Sequence, residues 1–326
     1  QETACRLGTN HAEWRVSPEA ADVLPQLAWY ADEPFADSSA LPTWYVCQMA
    51  RQRVTVALSG DGGDEGFGGY TFRYRPHMLE SQVRNALPSW VRGMVFGGLG
   101  ALYPGSRRLP RFLRLKTFLE NLAVSDVQAF YQDLVWLHAR DRQRLYAPGL
   151  VQQLAGYTPM EAVFSKYAHS DAPDALGRAQ HADLRLYMAE DVLAKVDRMS
   201  MAHSLEVRSP FMDHRLVEFA ATLPSALKVH RGQGKRVLRQ AASRHLPPAV
   251  VEQPKQGFSI PAAQWLRGEL KDMARAAIFE SHVVKESLNS PEVERLWQEH
   301  QTKARDHNVF LWGLMMLGLW EGAVLR

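Results

Sequence analysis

The sequence predicts an α/β protein in which a parallel twisted sheet with flanking helices gives way to an α-rich C-terminal part. Three features carry that prediction. Arg53-Val54-Thr55-Val56-Ala57-Leu58 is a β-branched run without proline, helical apolar spacing precedes it, and from about residue 175 onward helical periodicity replaces the strand signals. A length of 326 residues allows one large domain or two ordinary ones, and 46% apolar with 22% charged residues is the composition of a packed, water-soluble chain. Thirty-eight lysines and arginines against thirty-five acidic residues leave only +3, so composition implies no nucleic-acid partner.

In chain order, His11 to Val16 alternates polar and apolar residues as a strand does. Ser17-Pro18-Glu19 then supplies an N-cap, a first-turn proline and an acidic first turn for a helix reaching Ala31. A second helix over 41–50 has a broad apolar face from Leu41, Trp44, Tyr45 and Val46. The run 53–58 reads as a buried strand, and strand, helix, helix, strand is the order of a parallel layer. Residues 59–70 are the most glycine-dense stretch of the chain, and 71–147, aromatic and arginine-rich, read as helices with short connections. Further helices are expected at 176–196, 205–223, 235–244, 270–279, 293–300 and 310–324. The chain therefore divides into an α/β part over 1–70 and a mainly helical part over 71–326, with no polar linker and no repeat. Apolar stretches such as 94–102 and 309–320 fall short of the roughly 20 residues a membrane span needs, and no signal peptide is recognisable. Cys5 and Cys47 lie far apart without a CxxC pair, which supports no disulfide framework and points to a reducing, cytoplasmic setting.

Ligands of open α/β sheets bind beyond the carboxyl ends of the strands, which is where Ser59-Gly60-Asp61-Gly62-Gly63-Asp64-Glu65-Gly66-Phe67-Gly68-Gly69-Tyr70 falls. Its glycines let backbone amides approach an anion. Its acids Asp61, Asp64 and Glu65 suit Mg²⁺ that in turn holds phosphates, rather than a bare phosphate. The same string is also an ordinary glycine-and-aspartate turn, and it matches neither GxGxxG nor the P-loop pattern.

Longer blocks decide between these. Glu33-Pro34-Phe35-Ala36-Asp37-Ser38-Ser39-Ala40-Leu41-Pro42 and Leu58 to Tyr70, followed downstream by Lys195-Val196-Asp197-Arg198-Met199-Ser200-Met201-Ala202-His203-Ser204-Leu205-Glu206-Val207-Arg208-Ser209-Pro210-Phe211-Met212-Asp213, then Gly234-Lys235-Arg236 and Pro254-Lys255-Gln256-Gly257-Phe258, resemble the synthetase domain of glutamine-hydrolysing asparagine synthetases and their ATP-pyrophosphatase relatives. The resemblance implies an adenine-nucleotide alpha-hydrolase-like fold. It also implies an ATP- and Mg²⁺-dependent ligase that adenylates a carboxylate, typically that of aspartate, and lets ammonia displace AMP. In the family, ammonia comes from an N-terminal glutaminase domain with a cysteine at position one, and an SGGxDS pyrophosphate loop follows the first strand of the synthetase domain. This chain opens on Gln1 and matches neither feature, which reads as a fragment lacking both. A homodimer is compatible with the reading.

The resemblance assigns roles to six residues. Ser59 and Gly60 match the segment that contacts adenosine, Asp64 a carboxylate that helps hold Mg²⁺ on the pyrophosphate, and Asp61 an acidic position near the reacting carboxylate. Lys255, in a loop after proline, is expected to follow negative charge onto the α-phosphate and the leaving pyrophosphate, a contact commonly worth ~3–4 kcal/mol. Lys235, at the start of a helix, sits against the macrodipole and calls for an anion such as pyrophosphate. Asp191 with Lys195, and Glu206 with Arg208, read as local ion pairs, with Lys195 or Arg208 facing the substrate pocket as the alternative. Trp312, Met315, Met316, Leu319 and Trp320 read as core, and His203 has no ligand-spaced partner. Two departures stand out: Gly66 replaces a bulky apolar residue, and Gln253 replaces an arginine before the Pro254-Lys255 pair. With the arginine- and tryptophan-rich insert over 71–173, they allow a relative that adenylates another carboxylate, on a cell-surface or secondary-metabolite substrate. A non-catalytic nucleotide-binding scaffold is the third alternative.

Overall fold

Leu24, Leu27, Ala28 and Ala31 recur at helical spacing, and in the computed structural model they are the buried stripe of a helix over Ala20–Ala31. The structure describes residues 2–14, 20–103, 115–253, 257–258 and 260–325. A second helix, Ala40–Arg51, buries Ala40, Leu41, Trp44 and Cys47, in keeping with the expectation for 41–50. The strand expected at 11–16 is not formed over its described part, since residues 11–14 have no regular structure. The Ser17 cap lies outside the described residues.

Among the described residues the sheet consists of β1 (Val56–Leu58) and β2 (Glu206–Arg208), paired in parallel with Val56 opposite Glu206 and Leu58 opposite Arg208. It is smaller than the layer predicted, and its first strand is not buried: Val56 is 39% and Leu58 74% exposed. A β-branched run reports a preference for pleated backbone, not how many neighbours that backbone finds. The helix expected over 205–223 also gives way, to β2, a 3₁₀ turn at Pro210–Met212 and a helix at His214–Thr222. Ser204, with φ +55°, stops the preceding helical course. The backbone groups beyond it are satisfied across the ladder, Glu206 N–H donating to the Thr55 carbonyl and Ser59 N–H to that of Arg208.

The rest is helix-rich. Thr71–Ala86, Ser89–Leu102, Lys116–Ala123, Asp126–Leu134, Ala139–Leu145, Pro148–Leu154, Met160–Ala168 and Ala175–Arg185 are helices. A six-residue π-helix, Met188–Leu193, then leads directly into the helix Ala194–Met201. Among the described residues two apolar cores form. One joins Leu24, Leu41 and Trp44 near the start of the chain to Leu266, Leu270, Ile278, Trp297, Trp312 and Met315 near its end. The other gathers Tyr74, Phe130, Tyr131, Tyr167 and Leu176 under the inserted helices. Each fully buried side chain of this size contributes about 1.5–3 kcal/mol.

Asn308–Trp320 continues as a π-helix over Glu321–Leu325, so this apolar segment is longer than the spacing at 309–320 suggested and, at eighteen residues, is of membrane-spanning length and composition. Leu311, Trp312, Leu314, Met315 and Met316 are buried in the first core, as expected of a core helix. Leu319 and Trp320 pack at its margin.

Candidate active site

The loop after β1 sets its three acids apart. Gly62, with φ +91°, turns the chain into a short helix at Gly63–Phe67; a Cβ there would lie 2.6 Å from Met212 Sδ. Glu65 is carried inward, 2% exposed, and accepts a 2.6 Å hydrogen bond from Tyr70 Oη. Asp64 lies on the outer side, where Lys235 Nζ stands 3.0 Å from its Oδ1. Asp61, half-buried, makes no ion pair among the described residues.

Lys235 arrives from far along the chain. It holds the N-cap position of the helix Arg236–Ala242 in a left-handed conformation, φ +56°, fixed by its N–H donating to the Phe67 carbonyl at 3.0 Å. The backbone presses close to the ion pair: a Cβ on Gly69 would fall 1.8 Å from Asp64 Oδ1 and 2.6 Å from Lys235 Cε. At Gly60, by contrast, a Cβ would meet open space. Ser59 Oγ lies 2.7 Å from Ser209 Oγ, bridging the ends of β1 and β2. Four of the sequence-predicted residues, Ser59, Gly60, Asp61 and Asp64, thus sit at the carboxyl end of β1 with Lys235 against them. Lys255 lies outside the described residues, together with Pro254 and Gln256.

Arg239, which sequence reasoning passed over, ties the two lysine segments together. Its Nε donates to the Gly234 carbonyl at 3.1 Å, its Nη2 to the Gln253 carbonyl at 3.1 Å and its Nη1 to that of Val251. A single guanidinium therefore fixes the residue before Lys235 to the residue before the Pro254-Lys255 pair. No local motif announces this; one turn of helix places Arg239 back over the loop. Gly66 faces the helix His214–Thr222, where a Cβ would make an ordinary 3.7 Å contact with Ala220 Cβ.

The expected pairing of Lys195 with Asp191 is not the one formed. Lys195 Nζ donates at 2.7 Å to Asp37 Oδ2 and at 2.7 Å to Ser39 Oγ, residues more than 150 positions upstream. Burial works against the Asp37 charge, but the Lys195 ammonium and the hydrogen bonds from Lys195 and Ser39 hold it below the ordinary value. Asp191, on the π-helix, is pushed up to about 7 by burial and by the Asp37 charge. Tyr187 lies between this cluster and the loop, pushed up to about 12 by burial and then by Asp191 and Asp37; its ring meets that of Tyr70 at 5.9 Å. Glu206 and Arg208 do form the local pair expected, at 2.8 Å.

Among the described residues no three His, Cys, Asp or Glu side chains gather as a metal cage. The donor set nevertheless fits Mg²⁺, which dehydrates reluctantly and is commonly held by one or two carboxylates together with substrate phosphates. Asp64 is the carboxylate so placed, with the Lys235 ammonium 3.0 Å from its Oδ1.

Residues 1–322 match the asparagine synthase family. The chain belongs to that family. It is 30% identical over 322 residues to asparagine synthetase [glutamine-hydrolyzing] 1 of Bacillus subtilis (strain 168), a match covering 98% of this chain and 49% of that protein. It is 33% identical over 324 residues to a putative asparagine synthetase [glutamine-hydrolyzing] of Mycobacterium tuberculosis (strain ATCC 25618 / H37Rv), covering 97% and 46%. A more distant relative, amidase chry2 of Gibberella zeae, is 21% identical over 269 residues, covering 78% and 39%. This asparagine synthase-family chain thus spans about half the length of the first two relatives.

Proposed function

We propose that this chain is the synthetase portion of an ATP-dependent amide-forming ligase that converts aspartate to asparagine through β-aspartyl-AMP. AMP and pyrophosphate are released, and ammonia is drawn from glutamine by an N-terminal glutaminase domain. The observation that carries the reading is the pairing of Asp64 with Lys235 at the carboxyl end of β1, in a cradle too tight for a Cβ at Gly69.

In this reading Ser59 and Gly60 receive the adenosine, the open space at Gly60 letting backbone groups approach it. Asp64 holds Mg²⁺, which when bound neutralises the β- and γ-phosphates. Lys235 binds the pyrophosphate part. Lys255 follows the charge that builds on the α-phosphate as the acceptor carboxylate attacks and pyrophosphate leaves, the usual office of a positioned cation. Asp61, near the reacting carboxylate, orders the incoming amine or accepts its proton.

A second reading keeps the chemistry and changes the acceptor. Similarity to a protein named an amidase, with Gln253 where arginine is usual, favours an enzyme that adenylates a different carboxylate. Incubating the full-length protein with ATP, Mg²⁺, ammonia and candidate acids, and following AMP and pyrophosphate, separates the two. Release only with aspartate supports the first and release with another acid the second; no release with any acid leaves a nucleotide-binding scaffold and removes both.

A further inference from the structure

Lys235 and Asp64 neutralise each other in a setting that gives neither much freedom. Their side chains are 29% and 17% exposed, the Lys235 backbone is held left-handed by the Phe67 carbonyl, and Gly69 closes one flank. The ammonium lies 3.0 Å from Asp64 Oδ1, against the same carboxylate that a divalent cation would use. A cation arriving alone has to share Asp64 with the ammonium, so two positive charges crowd one carboxylate. A cation arriving with phosphate meets no such penalty, because Lys235 exchanges a carboxylate oxygen for a phosphate oxygen.

We propose that Lys235 makes this site accept metal and phosphate only together, its ammonium holding Asp64 until a phosphate oxygen is present to receive it. The proposal rests on the reading of the loop as a metal–nucleotide site and adds a specificity to it: the site discriminates against the free divalent ion. Coupling of this kind is reciprocal, so phosphate tightens metal binding by the factor by which metal tightens phosphate binding.

The test uses Mn²⁺ as probe, with bound and free ion distinguished by electron paramagnetic resonance, on the full-length protein with and without inorganic pyrophosphate. In the wild type, Mn²⁺ alone should bind weakly and pyrophosphate should tighten it by about tenfold or more. Lys235→Met should bind Mn²⁺ alone about tenfold more tightly than the wild type, bind the Mn²⁺–pyrophosphate pair less tightly, and lose most of the coupling. Lys235→Asn, whose side chain tolerates the left-handed backbone, repeats the comparison if the methionine variant folds poorly. If both variants bind Mn²⁺ alone no better than the wild type, the exchange is refuted while the site reading stands. If Asp64→Asn leaves Mn²⁺–pyrophosphate binding unchanged, the site reading itself fails and the exchange with it.

Discussion

At Gly69 the molecule has no room for even one carbon more, since a methyl there would overlap Asp64 Oδ1. Gly69→Ala should therefore push the carboxylate off its lysine. The neighbours displaced are side-chain ends, so folding stability should fall by only about 1–3 kcal/mol. Affinity for Mg²⁺–ATP, measured by calorimetry, should fall at least about tenfold, and unchanged affinity would mean that Asp64 does not hold the metal. Lys255→Ala should lower adenylation by about 10²–10³-fold with thermal unfolding near that of the wild type, as expected of a loop cation; a wild-type rate would remove it from the mechanism. At this scale the sequence was informative where chemistry needs unusual density, as in the glycines and acids of 59–70. It was silent where a partner is remote. The bond from Lys195 to Asp37 joins residues 158 positions apart, and a lysine four residues from an aspartate suggested the wrong companion.

Elements show the same division. Start signals placed the helix Ala20–Ala31, and helical patterns placed Lys271–Glu280 and Ser290–Gln301, within a few residues, because caps and buried stripes are written in a local window. The same spacing continued across 205–208 and misled there, where the strand is imposed by pairing with a segment that no local window contains. The helix Arg236–Ala242 shows how an element ties distant segments together without a motif. Arg239→Met should leave it helical but release both Gly234 and Gln253, and adenylation should fall on the order of tenfold to a hundredfold. An unchanged rate would show that the two lysine segments keep their places unaided. In the helix Thr71–Ala86, Glu80 is buried beside Arg84 and Asn121 and is pushed up to about 7, chiefly by burial and further by Asp133. A carboxyl with a raised folded pKa binds protons more readily folded than unfolded, so its stabilisation is full below its ordinary 4.5 and is lost as pH rises through about 7. Melting temperature should accordingly decline between about pH 5 and about pH 8, and Glu80→Gln should flatten the decline. An unaltered slope in the variant would assign the effect to other groups.

Over the whole molecule, the helices Ala20–Ala31 and Ala40–Arg51 belong to a core whose other half comes from the last sixty or so residues. Trp297, 1% exposed at the centre of that core, is remote in sequence from Ser59 to Tyr70. Trp297→Ala should cost about 3–5 kcal/mol by urea unfolding, and nucleotide affinity measured well below the transition should be retained. Loss of affinity in a fully folded variant would show that the core positions the loop directly. Composition and periodicity announced a large, packed, helix-rich protein, but nothing in either could say that its beginning and end share one interior. β1 carries a consequence of its own: its three residues have their ladder partner about 150 positions downstream, and Lys235 comes later still. Synthesis must pass well beyond the midpoint of the chain before the proposed phosphate cradle can assemble, so in that reading an unfinished polypeptide on the ribosome has nowhere to hold a nucleotide and cannot squander one.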